Sequence, residues 1–110
     1  MKIIDCFLSL NEYEGNGHRI LIDTKHMSVA ARQEYYEKIR NYNLGKADKD
    51  KIPIVVSHTG YSGHKSMVSA IEWPDTDNKK YEASDDFNNW AINLSDDEIL
   101  EVFNSNGIMG

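Results

Sequence analysis

The chain has 110 residues, a net charge of −6 at neutral pH and one cysteine. That length suits one domain that buries roughly two thirds of its unfolded surface around a single core. A lone thiol excludes an intrachain disulfide and fits a reducing compartment, and the opening run IIDCFLSL, broken by Asp5, is too short and polar for a signal peptide or membrane span, so a cytoplasmic protein with no membrane partner is expected.

In chain order, Lys2 to Leu10 reads as a first strand, with Ile4, Cys6 and Leu8 on one side and Cys6 as a small buried hydrophobe. The stretch Asn11 to Gly17 is turn-rich, and His18 to Thr24 reads as a second strand pairing back as an antiparallel hairpin. Ser28 offers an N-cap to a helix through VAARQEYYEKIRNY that closes near Asn43 to Gly45. Its face of Val29, Arg32 or Gln33, Tyr36, Ile39 and Asn43, flanked by Tyr35 and Tyr42, is read as core packing. Arg32, Lys38 and Arg40 are interleaved with Glu34 and Glu37, which argues against direct nucleic-acid binding.

The run Ile52 to Trp73 (IPIVVSHTGYSGHKSMVSAIEW) organises the second half of the chain. Ile54 to Val56 is a short continuous apolar run suited to an inner strand after Pro53. Met67 to Trp73 carries both periods, alternating as a strand while Met67, Ala70 and Ile71 would also share a helical face. It is read as a strand that stops at Pro74, and further extended pieces are read at Lys80 to Ala83 and, although Phe87, Trp90, Ala91 and Leu94 have helical spacing, at Asn89 to Leu94. Ser95 and Glu98 have the spacing of a capping box, with Leu94 and Ile99 at the hydrophobic-staple positions. They open a helix whose buried face is Ile99, Val102 and Phe103, and Asn106 and Gly107 stop it. The expected fold is α+β: an antiparallel or mixed sheet of about five strands with two helices, near 28–43 and 96–105, in a single domain over 1–110.

Two stretches carry candidate chemistry. Gly60 to Ser66 (GYSGHKS) follows a buried strand as phosphate-binding loops do, and His58, Gly60, Gly63, His64, Lys65 and Ser66 could together hold a small phosphate-bearing ligand such as a nucleotide. It departs from the Walker pattern, because only two residues separate the glycines and His64 stands before Lys65. No catalytic set, cofactor or metal set is expected. His18, His26, His58 and His64 show no ligand spacing with cysteine or a second histidine motif.

The second stretch is acidic. Residues 1–65 hold ten Lys or Arg against eight Asp or Glu, a net of +2, whereas residues 66–110 hold two against ten, a net of −8. Asp85, Asp86, Asp96, Asp97, Glu98 and Glu101 gather around Trp90 in sequence, and a tryptophan ringed by carboxylates suits an interface with a basic protein. Asp96 and Asp97 also complement a helix dipole, which serves stability without any partner. The functional expectation is a small acidic protein that inhibits or neutralises a basic, nucleic-acid-handling protein. Immunity proteins, antitoxins and phage-encoded anti-defence inhibitors share this size and charge, and the phosphate-ligand binder is the alternative.

Overall fold

The computed structural model describes residues 2–10, 14–72 and 90–110. Among them lie four α-helices, α1 (Lys2–Ser9), α2 (Val29–Asn43), α3 (Met67–Glu72) and α4 (Asp96–Asn104), and two short strands, β1 (Val55–Val56) and β2 (Ile108–Met109). A 3₁₀ turn spans Asp48–Asp50. The five-stranded antiparallel or mixed sheet expected from the sequence is not what forms. The described residues contain a two-stranded parallel sheet, with Val55 opposite Ile108 and Val56 opposite Met109, and helices make most of the regular structure. None of these helices is long and apolar enough to cross a membrane.

Both helices foreseen from the sequence are present, because each is specified by local chemistry. Ser28 Oγ accepts the Ala31 N–H at 3.2 Å and opens α2, which ends at Asn43 before Gly45 turns the chain at a φ of 73°. Arg32, Tyr35, Tyr36, Ile39 and Asn43 form its buried face. At α4 the Ser95 N–H donates to the Glu98 carboxylate at 3.0 Å, the Glu98 half of a capping box. The other end of α4 closes with a Schellman pair: Gly107 N–H to Val102 C=O at 2.9 Å and Asn106 N–H to Phe103 C=O at 3.0 Å, with Asn106 left-handed at φ 60°. Phe103, expected in the core, is 78% exposed. Val102 and half-buried Ile99 face inward instead.

Four expected strands are corrected. Lys2 to Leu10 is helical, since its inward positions Ile4, Phe7 and Leu8 follow a spacing of three and four residues, and Cys6 is consequently exposed. Arg19 fixes this helix by donating to Leu8 C=O at 2.9 Å and to the Tyr42 hydroxyl at 2.8 Å, and Asp5 pairs with Lys38 of α2. His18 to Thr24 makes no hairpin. Its one ladder contact is an isolated parallel bridge from Asp23 to Val55, with Thr24 N–H donating to Val55 C=O at 2.9 Å. Met67–Glu72 is α3, with Met67 and Ala70 buried three apart and the Ser66 hydroxyl accepting the Ser69 N–H at 3.1 Å as an N-cap. In Trp90 to Leu94 a turn closed by Asn93 N–H to Trp90 C=O at 2.9 Å replaces the strand, and only Leu94 bridges, to Tyr61. Trp73, Lys80 to Ala83 and Asn89 lie outside the described residues.

The core is Tyr35, Tyr36, Ile39, Ile52, Ile54, Val56, Leu94 and Val102, with Leu8 and Met67 at its margins. The expected inner strand is therefore central, although it is short. Asn43 takes over the ladder just before it. Its side-chain amide donates to Ile52 C=O at 2.9 Å and accepts the Ile52 N–H at 2.7 Å, as a neighbouring strand would. On the other side Ser105 Oγ accepts the Ile54 N–H at 2.9 Å, and the chain passes so close that a Cβ on Gly107 would stand 2.2 Å from Ile54 O. Gly107→Ala is accordingly expected to destabilise by about 1–3 kcal/mol in urea unfolding through forced displacement of β2. Gly110→Ala, whose Cβ would meet nothing within 4 Å, is the matched control with no expected loss.

Candidate functional site

The turn at Trp90 to Asn93 is held on the body of the protein from below. Arg32, only 2% exposed on α2, donates through Nη2 to Ala91 C=O, while its Nε lies 2.7 Å from the carboxylate of Glu98, which is 1% exposed. The Tyr36 hydroxyl donates to the same carboxylate at 3.2 Å, and Ser95 supplies its N–H at 3.0 Å and its hydroxyl at 2.9 Å. Burial pushes the Glu98 carboxyl above its ordinary value, and Arg32 with these donors pulls it back only in part. Lys25 reaches the turn from another direction, donating to Ile92 C=O at 3.2 Å. Trp90 is 56% exposed on this anchored platform, and Ile92 beside it is also exposed.

The acidic residues expected around Trp90 that are described take separate roles. Glu98 contributes no surface charge, being the buried counterion of Arg32; the sequence signal for this was the capping box itself, which draws the carboxylate inward. Asp97 is half-buried and works as a local cap, sharing the single Ser95 hydroxyl proton with Glu98 through one oxygen and accepting the Met67 N–H at 3.3 Å on the other. Glu101 lines a groove of about 380 Å³ between the ends of α2 and α4 and is paired there with Arg40. Asp96 is exposed and accepts the Tyr61 hydroxyl at 2.8 Å. Asp85 and Asp86 lie outside the described residues.

The glycine loop is tied inward. Gly60 N–H donates to Asn93 Oδ1 at 3.3 Å, Ser62 N–H to Leu94 C=O at 2.8 Å, and His64 N–H to Ser62 Oγ at 3.3 Å. The first amides of α4, at Asp96 and Asp97, donate to His64 C=O and Lys65 C=O at 3.0 and 3.2 Å. A phosphate cradle needs several N–H groups converging on open space, and those of Gly60, Ser62 and His64 are already occupied. Gly63 turns the chain at φ 80°, His64 is buried, Lys65 is exposed, and Ser66 serves as the cap of α3. His58 is directed elsewhere: its ring stands against that of His26, with centroids 5.2 Å apart.

Near that pair, Asp23 Oδ1 accepts the Lys25 N–H at 2.9 Å and the Ser57 N–H at 3.2 Å. Burial pushes the Asp23 carboxyl up, but hydrogen bonds from Ser57 and Lys25, with the nearby His58, outweigh it and hold the group below the ordinary aspartate value. Among the described residues no three His, Cys, Asp or Glu side chains gather as a metal site. No protein-family model, curated protein or solved structure matches the chain.

Proposed function

We propose that the protein is an acidic binding protein that captures and inhibits a basic, nucleic-acid-handling protein, with Trp90 as the central contact. The observation that carries this reading is the exposure of Trp90 on a turn whose backbone is pinned to the buried Arg32. A large aromatic side chain presented on a rigid base buries much area on binding with little ordering cost, which is how binding hot spots are built. The charge balance of residues 66–110, a net of −8, supports a basic partner, because complementary charge accelerates encounter. Asp96 borders the turn in sequence on one side, and Asp85 and Asp86 on the other.

The test begins with affinity capture from the native host's lysate, followed by kinetics on the protein recovered. Reversing Asp85 and Asp86 to Lys is expected to lower the association rate about tenfold or more at low salt, with the difference shrinking as salt rises. Capture at an unchanged rate in low salt would sink the reading.

A further inference from the structure

The backbone places two histidines together where a parallel sheet conventionally offers its ligands. Asp23, β1 and β2 run parallel, so the residues just beyond them, Lys25 and His26 on one side and Ser57, His58 and Thr59 on the other, lie at the carboxyl ends of the strands. Both histidines are held in the left-handed region, His26 at φ 72° and His58 at φ 32°. A β-turn closed by Met27 N–H to Thr24 C=O at 3.1 Å accounts for His26, and a helix stop accounts for Asn106, the remaining non-glycine residue of this kind among the described residues. Positive φ is uncommon outside glycine, although histidine adopts it several-fold more readily than most side chains, so the weight falls on where the two rings stand.

We propose that His26 and His58 chelate a divalent transition-metal ion of the zinc type, with the Asp23 carboxylate as the outer-sphere partner beside His58. The spacing fits. An imidazole nitrogen binds such an ion at about 2.05 Å, which puts the ring centroid about 3.2 Å from the metal, so two rings at a tetrahedral angle have centroids about 5.2 Å apart. The observed separation is 5.2 Å, with the rings inclined at 52°. Neutral imidazoles select zinc-like ions over magnesium or calcium, which prefer oxygen. Asp23, fixed by the Lys25 and Ser57 amides, adds the negative charge that favours a cation over a phosphate. With two protein ligands, water fills the remaining positions. The inference stands apart from partner capture, and its test needs no partner.

The full chain carrying Cys6→Ser, to remove the exposed thiol, is titrated with ZnCl₂ by calorimetry, and its histidine ring signals are followed by NMR. One equivalent should bind, shifting the rings of His26 and His58. His26→Asn and His58→Asn, chosen because asparagine accepts left-handed backbone, should each weaken binding at least tenfold, and Asp23→Asn about tenfold. His18→Asn should change nothing. Absence of binding, ring shifts confined to His18 or His64, or full affinity in both asparagine variants would overturn the proposal and leave the contact as ring packing.

Discussion

Replacing Glu98 with Gln is expected to cost about 3–5 kcal/mol of folding stability, because it leaves the Arg32 guanidinium buried without its counterion. Arg32 and Glu98 are 2% and 1% exposed, so water cannot take over for the missing carboxylate. The double variant Arg32→Met, Glu98→Leu should recover most of that loss, since apolar groups of similar volume need no partner. Chemical denaturation of the three proteins checks this. A single variant as stable as the parent would mean that the pair is not desolvated.

The pH dependence has a definite sign. The folded chain holds the Glu98 proton more tightly than the unfolded chain, whose glutamate has an ordinary value of 4.5. This contribution to stability is fully present below that value and is lost as pH rises through the raised folded value. Glu98→Gln removes this titration, so the fall in stability with pH between the ordinary and the raised value should flatten in the variant. Asp23 opposes it: its folded value is lowered, so its contribution is present above the ordinary aspartate value and lost on acidification.

Trp90→Ala is expected to weaken partner capture by at least about 2 kcal/mol, roughly thirtyfold, mainly by faster dissociation. Stability should change little, because the side chain is 56% exposed and lies outside the core. Reversal of Asp85 and Asp86 acts on the association rate, so the two variants separate anchoring from steering. The double variant Arg32→Met, Glu98→Leu provides a third comparison. It keeps the core filled but releases Ala91 C=O from its guanidinium donor, so weaker capture by a stably folded protein would show that Trp90 needs its rigid base. Capture unaffected by Trp90→Ala would remove this turn from the interface.

Local chemistry alone was enough to specify α2, α4 and the position of the central strand. Ser28, the Ser95–Glu98 pair and the Asn106–Gly107 stop act within a few residues of themselves, so their signals survive without knowledge of the fold. The candidate site was legible in part. Trp90 stands out in the sequence as a tryptophan among carboxylates, and of those carboxylates Glu98 alone, through its capping box, carried a local sign of turning inward.

Short apolar runs were ambiguous for a physical reason. In Lys2 to Leu10 and Met67 to Trp73 both periodicities are present, and burial against the rest of the chain decides between them. The Ser66 cap was the local clue to α3.

Tertiary structure alone decided the remainder. Pairing of β1 with β2 joins residues more than fifty positions apart and depends on Gly107 having no Cβ to meet Ile54 O. The buried Arg32 and Glu98 come from separate helices, and only their meeting makes either charge tolerable in a core. His26 and His58 likewise become neighbours only because Asp23 and Val55 run side by side. Composition determined that the chain is acidic and that its charge is lopsided. Which of those charges face water, and which aromatic ring stands exposed among them, was decided by packing.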